Sequence, residues 1–389
     1  MKDISIIGVG NTKIGEWYER DLRELTDEAI ARALDSANIS PSDIDVSIIG
    51  CMSSGIFNEQ EHISALIGPW AGVTAPALRV ESACASGSSA LRVAMMSIQA
   101  GYYDTALVVG VEKMTDLIDI ENVTTALGTA ADSEWELGVG ATFPALFALM
   151  MRAHMHKYGS TREEFASVAV KNHANGVLNP AAQFQKKVSM EKVMNSRMIA
   201  DPIRLYDCSP VSDGAAAVII TRADKAKEYT DDPVKIIGTG AGTDHIALHS
   251  RGSLTSLRAT KTAAKTAFDM AKITPKDIDL IEVHDCFTIA EVMALEDLGI
   301  CEVGKGGTFT LEGETAINST ISVNPSGGLK SKGHPVGATG IYQVIEIFQQ
   351  LRNEAGKRQV DKNDIGVTHN IGGSGATCVM NVYSQGDSK

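Results

Sequence analysis

ALDSANISPSDID, residues 33–45, and AFDMAKITPKDID, residues 267–279, are two copies of one segment. Eight of thirteen positions are identical, at an offset of 234 residues. Each copy reads as the end of an amphipathic helix, a proline-containing turn and the start of a strand. Their surroundings repeat in the same order. ISIIGVG (4–10) is echoed by VKIIGTG (234–240), and DTALVVGV (104–111) by DIGVTHNI (364–371). One match between ordinary helix-to-strand turns would carry little. Three in one order make duplication of an α/β unit the better account.

Working outward, the two copies differ in length. Between the strand patterns TALVVG (105–110) and AAAVIIT (215–221) lie about a hundred residues, with helical patterns at 143–157 and 161–175 and polar loops around Pro180 and Pro202. Nothing comparable fits in the second copy, so this stretch reads as an insertion covering a site. The expected organisation is an N-terminal half over 1–232, with a loop subdomain at about 112–205, and a C-terminal half over 233–389. No low-complexity linker separates them.

The bulk properties exclude several classes. With 389 residues, 44% hydrophobic and 21% charged, the chain can bury a large core. A net charge of −13 argues against nucleic acid and against an anionic membrane surface. The start, MKDISIIGVG, reads as a first strand and not a leader. The most apolar run, 140–151, contains Pro144, stops at Arg152 and is too short to span a bilayer. Six scattered cysteines without a CxxC pair read as reduced thiols in a cytoplasmic protein, and no zinc-ligand spacing is visible. Gly8-Val-Gly10 lacks the third glycine of a dinucleotide fingerprint.

Four loops carry candidate chemistry. ESACASGSSA (81–90) puts Cys84 between a short strand and a helix, where free backbone N–H groups and the helix dipole favour a thiolate. A buried cysteine is most often structural, but this setting suits a nucleophile. VHDCFT (283–288) places His284 and Cys286 two apart at a strand end, alongside the plainer reading of a capped helix start. NPSGGLKSKGHPVGATG (324–340) is glycine-rich, and in the duplicated frame its His334 matches Cys84. The two copies would then present a thiol and a base at equivalent helix starts. HNIGGSG (369–375) offers backbone N–H groups for a developing oxyanion, or is a plain glycine hairpin between strands 365–369 and 376–383.

Taken together, SACASGSSAL (82–91), CSPVSDGAAAVI (208–219), VHDCF (283–287), NPSGGLKSKGHPVGATG (324–340) and NIGGSGAT (370–377) resemble the thiolase superfamily over essentially the whole chain. The likeness is greatest to the sterol-carrier-protein type and its archaeal acetyl-CoA C-acetyltransferase relatives. The resemblance implies a duplicated α/β thiolase fold, with two βαβαβαββ halves in five αβαβα layers and a loop insertion in the N-terminal half. It implies that Cys84 is acylated by an acyl-CoA. His334 accepts the thiol proton and helps bind a thioester oxygen, His284 completes that oxyanion hole, and Cys286 is the acid/base at the α-carbon. Backbone N–H groups of Cys84 and Gly372 hold the acyl-enzyme oxygen. Two departures stand out. His284-Asp285-Cys286-Phe287 replaces an Asn-Glu-Ala-Phe motif, and Asn370 occupies the place of the usual second cysteine.

The implied reaction is Claisen condensation of two acetyl-CoA to acetoacetyl-CoA plus CoA, and its reverse, with no metal or redox cofactor. The rivals are a degradative 3-ketoacyl-CoA thiolase and a non-catalytic acyl-CoA-binding scaffold. The implied partners are acyl-CoA and CoA, a homo-dimer or tetramer, and a complex with hydroxymethylglutaryl-CoA synthase and an OB-fold zinc-ribbon protein, feeding the mevalonate pathway to isoprenoids. The pattern does not single out CoA contact residues.

Overall fold

The computed structural model describes residues 3–385; residues 1–2 and 386–389, at the outer ends of the two expected halves, lie outside the described residues. Ten strands form one continuous sheet. They are β1 (Ile4–Asn11), β2 (Val46–Gly50), β3 (Ala77–Val80), β4 (Thr105–Glu112), β5 (Gly214–Arg222), β6 (Val234–Thr243), β7 (Leu280–Glu282), β8 (Ser322–Val323), β9 (Ile365–Gly372) and β10 (Thr377–Ser384). Their order is β3-β2-β4-β5-β1-β6-β10-β9-β7-β8. That order is symmetric about its centre, where Ile4–Ile6 of β1 pairs antiparallel with Val234–Ile236 of β6. The segments that echo each other in sequence occupy equivalent strands, β1 with β6 and β4 with β9.

The structure explains why the paired segments repeat. Helix α1 (Leu22–Ala37) ends on Asn38 in the left-handed conformation, φ 53°. Its counterpart, which ends at Ala271, is closed by Lys272 at φ 58°. Each is followed by a single 3-10 turn opened by Ser40-Pro41 or Thr274-Pro275. Asp43 and Asp277 accept the amides of Ser40 and Thr274 at 2.8 and 2.7 Å. The last aspartate of each copy performs the same task. Asp45 accepts the amides of Asp104 and Thr105, and Asp279 those of Asp364 and Ile365, all at 2.9 Å. Each thereby fixes the start of the next inner strand. The glycine echo is steric: a Cβ at Gly8 would lie 2.6 Å from Ala33 O, and one at Gly238 2.4 Å from Ala267 O. These glycines let a helix backbone lie against a strand and hold no nucleotide.

Five layers follow from strand alternation. Leu107, Val109 and Val111 of β4 face α1 on one side of the sheet. Ala106 and Val108 face a central layer made of α2 (Ser86–Gln99) and the C-terminal helix Thr339–Leu351. Beyond it, Val367 and Ile371 of β9 and Met380 and Val382 of β10 face the far outer helices. These are Arg258–Ala271 and Thr288–Asp297.

The inequality of the copies is explained by what joins β4 to β5. Residues 113–213 form α3 (Phe143–Tyr158) and α4 (Arg162–Gly176), near the expected spans. They also form a helix at Ile120–Gly128 that the periodicity did not reveal, and a two-stranded hairpin, Met198–Ala200 with Ile203–Arg204. The equivalent β9–β10 connection is a tight turn. One expected boundary is corrected here. His369 to Gly372 lie inside β9, paired with Met380 to Thr377, so the glycine turn is only 373–376. Among the described residues no helix is long and apolar enough to cross a membrane, and all six cysteines are unpaired.

Candidate active site

The C-terminal half contributes helices α5 (Arg258–Ala271), α6 (Thr288–Asp297) and α7 (Thr339–Leu351). At the N-termini of α2 and α7 the two halves meet: a Cβ at Gly87 would lie 2.8 Å from Gly337 O. Cys84 lies one residue before the cap of α2. Ala83, just ahead of it, is held at φ 51°, a left-handed conformation costly for alanine. Three contacts hold that turn. Glu81 Oε1 accepts the Ala83 amide at 2.5 Å, Ser86 Oγ accepts the Ser82 amide at 2.9 Å, and Ser86 donates to Ala83 O at 2.6 Å. A strained backbone fixed from both sides sets the direction of the thiol.

His334 arrives from the opposite half. Its amide donates to Ser212 Oγ at 2.9 Å, which gives the SDGAAA motif a role in placing the ring. Thr339 Oγ1 lies 2.7 Å from His334 Nδ1 and donates to Pro335 O at 2.9 Å. With its own hydrogen so used, the hydroxyl accepts from Nδ1–H, leaving Nε2 with a free lone pair. Buried Glu112 ties the halves together: it accepts the amides of Met52 and Ser53 from one side and Gly337 from the other, at 2.8–3.0 Å.

The third loop follows β7, which stops at Glu282, one residue short of the expected strand end. Its acids clamp the glycine-rich loop. Glu282 accepts from Ser326 Oγ at 2.6 Å and pairs with Lys332 at 3.0 Å. Asp285 accepts the amides of Leu329 and Lys330 at 2.7 and 3.2 Å. His284 is thereby brought beside His334, with rings edge-on and centroids 4.9 Å apart. Cys84, His284 and His334 each bring one sulfur or ring nitrogen within 4.8 Å of the others. Cys286 joins Cys84 and His334 in lining a cavity of about 140 Å³, otherwise walled mainly by apolar groups such as Met52, Met114, Phe143 and Val336.

Because β9 continues through Gly372, alternation sends Asn370 to the inner face and His369 to the outer one. His369 bridges Thr260 Oγ1 at 3.0 Å and the His284 amide at 3.4 Å. Asn370 Nδ2 reaches Cys84 O at 3.1 Å and His284 Nδ1 at 2.9 Å. Gly372 lies against the Cys84 turn, where a Cβ would meet Ser82 O at 2.4 Å. The backbone N–H groups of Gly373 and of Cys84 itself pull the Cys84 thiol towards its charged form.

Burial dominates the electrostatics. It pushes the Cys84 thiol up to about 12, against the pull of those two amides, and the His334 imidazole down to about 3. Where the sequence reading expects the helix N-terminus to favour a thiolate, burial of the sulfur works in the opposite direction. The resting pair is a neutral thiol and a neutral imidazole. Alkylation of Cys84 by iodoacetamide, followed by peptide mass spectrometry, should accelerate roughly tenfold per pH unit through the neutral range. A rate flat with pH would show an ion pair instead. Burial, with Cys84 and Asp285 adjacent, also holds the Cys286 thiol well above its ordinary value.

Thus the structure brings all four predicted side chains into one place. Sequence reasoning did not single out Glu112, Glu282, Ser212, Thr339 or His369, each of which acts through another residue. The available signal was position: every one lies within, or one strand-end from, a motif already suspected.

Two family models match this chain. Residues 4–224 match the family model "Thiolase, N-terminal domain" and 240–385 match "Thiolase C-terminal domain-like". The chain is 53% identical to "Acetyl-CoA acetyltransferase" of Methanothermobacter thermautotrophicus, covering 99% of this chain and 100% of that one. It is 35% identical to "Sterol carrier protein 2" of Bos taurus, covering 98% of this chain and 72% of that one. The solved structure "Ltp2-ChsH2(DUF35) aldolase" has the same fold, with TM-score 0.87 at 22% identity, over 100% of this chain and 99% of that one.

Proposed function

The chain belongs to the thiolase family, and on that premise we propose that it condenses two acetyl-CoA into acetoacetyl-CoA plus CoA, and runs the reverse thiolysis, through an acyl-Cys84 intermediate. The observation that carries this reading is the convergence of Cys84, His284 and His334 within 4.8 Å, beside a cavity that Cys286 lines.

The proton accounting closes on these four side chains. Cys84 passes its proton to His334 Nε2 as its sulfur attacks the thioester carbon of the first acetyl-CoA. Amides of Cys84 and of the Gly372–Gly373 turn hold the oxyanion. The departing CoA sulfur takes the proton of Cys286. The Cys286 thiolate then removes a proton from the methyl of the second acetyl-CoA. The enolate oxygen lies between N–H groups of His334 and His284, and the enolate carbon attacks the acetyl-Cys84 carbonyl. The Cys84 sulfur leaves and recovers its proton from His334. Covalent capture divides one difficult transfer into two easier steps.

Cavity size supports a short acyl group. The cavity beside Cys84 and Cys286 is only about 140 Å³ and is walled mainly by apolar side chains. An acetoacetyl group fits; a long acyl chain requires the walls to move. Steady-state thiolysis should therefore favour acetoacetyl-CoA over a long-chain 3-ketoacyl-CoA by about 10²-fold in kcat/KM. Equal rates would sink the short-chain reading in favour of a degradative enzyme. No turnover of either would leave the scaffold reading.

Condensation is uphill, so a consumer of acetoacetyl-CoA held nearby would draw it forward. We place the chain in the cytoplasm, as a homo-dimer or tetramer, with hydroxymethylglutaryl-CoA synthase and an OB-fold zinc-ribbon protein as partners on the way to isoprenoids. The structural neighbour, an Ltp2-ChsH2(DUF35) aldolase, pairs this fold with a second, DUF35 protein, which supports a partner chain here. Purification from native cells should bring down all three chains; repeated recovery of the homo-oligomer alone would count against the complex.

A further inference from the structure

Asn370 takes no part in the steps above, yet its amide touches two residues that do, Cys84 through its carbonyl and His284 through its ring. A backbone carbonyl can only accept, so the contact with Cys84 O fixes Nδ2 as the end of the amide facing it. The second hydrogen on Nδ2 is then directed at His284 Nδ1, 2.9 Å away. A ring nitrogen that accepts carries no proton, so the single proton of the neutral imidazole sits on Nε2. His284 stays neutral because it is fully buried and has His334 and His369 beside it. Its Nε2 has no partner in the protein. An unpaired buried donor costs about 1–3 kcal/mol, and such a group is retained where a substrate supplies the acceptor.

The same three residues have another chemical potential. A thiolate and two imidazole nitrogens within 4.8 Å of one another are the ligand set of an open zinc site. Zinc requires a bare nitrogen on His284, and the nitrogen that Asn370 leaves free carries the proton. We propose that Asn370 is a positioning residue: it locks His284 in the Nε2–H tautomer, making it a hydrogen-bond donor to the thioester oxygen and denying a thiophilic metal its third ligand. This rests on the reading of His284 as an oxyanion donor given above.

Asn370→Asp is the discriminating variant. A carboxylate at this position can only accept, so it takes the proton of Nδ1–H and bares Nε2, the arrangement of a carboxylate–histidine–zinc triad. In ¹⁵N spectra of histidine-labelled protein, His284 should read as Nε2–H in the wild type and Nδ1–H in the variant. Zinc affinity, measured by competition with a chromophoric chelator, should rise at least about tenfold in the variant. The kcat for acetoacetyl-CoA thiolysis should fall about 10²–10³-fold with little change in KM, the loss expected for one oxyanion donor. A wild-type His284 carrying its proton on Nδ1 overturns the assignment, whether or not the variant folds. So does a folded variant whose tautomer and zinc affinity match the wild type. The spectra and zinc titrations need no turnover, so an inactive wild type would sink the proposed reaction and the donor role of His284 with it, while the tautomer lock and the exclusion of zinc are judged on their own readouts.

Discussion

Replacing Cys84 by alanine is expected to abolish turnover in both directions, by roughly 10⁴–10⁶-fold in kcat, while the protein stays folded. The size follows from the chemistry: without the sulfur there is no acyl-enzyme, and the remaining donors only bind. Folding survives because none of the contacts that fix this turn uses the Cys84 side chain. The Cys84 carbonyl keeps Asn370 Nδ2, and Ser86 keeps Ser82 and Ala83. Deleting one sulfur from a small apolar cluster costs about 1 kcal/mol. The check is thiolysis of acetoacetyl-CoA alongside thermal unfolding. A variant that retains a tenth of the activity would show that Cys84 is not the nucleophile.

Cys286→Ala should separate the two halves of the reaction. Acetyl transfer from acetyl-CoA to Cys84 should slow but persist, because Cys84, His334 and the backbone donors are untouched and CoA, a good leaving group, can depart as its thiolate without the Cys286 proton. Proton removal from the second acetyl-CoA should fall by about 10²–10⁴-fold, the usual contribution of a positioned acid/base. Exchange of the acetyl methyl protons for deuterium reads that step directly. Cys208 lines the same cavity, so it is the natural rival. If exchange survives in Cys286→Ala and is lost in Cys208→Ala, the acid/base assignment moves to Cys208. Thiolysis unchanged in Cys286→Ala would refute the assignment outright.

Much of this was readable in the chain because duplication turns weak local signals into paired ones. The aspartate pairs 43/277 and 45/279 recur because each copy needs the same amides held at the same turn and strand start. Cys84 and His334 could be set opposite each other for the same reason. What escaped were residues whose meaning depends on burial. Glu112, Glu282 and Asp285 look like surface charges in a sequence, yet all three are fully buried and hold loop amides. The sequence pattern ends this strand at His369 and leaves Asn370 in the loop, because five residues of glycine-rich chain follow it. In the structure, pairing with β10 carries the strand through Gly372, and that extension alone decides that Asn370 faces Cys84. The state of the Cys84 thiol is harder to read from sequence for the same reason: a helix N-terminus is visible there, and the desolvation that raises the thiol is not.

The central claim is that Cys84 carries an acyl group taken from a CoA thioester. Intact-protein mass spectrometry after brief mixing with acetyl-CoA and acid quenching tests it most directly. The account predicts one acetyl adduct per chain, mapped by peptide fragmentation to Cys84, removed on adding CoA and absent from Cys84→Ala. An unmodified chain that nonetheless turns over acetoacetyl-CoA, or an adduct on any other residue, would contradict it.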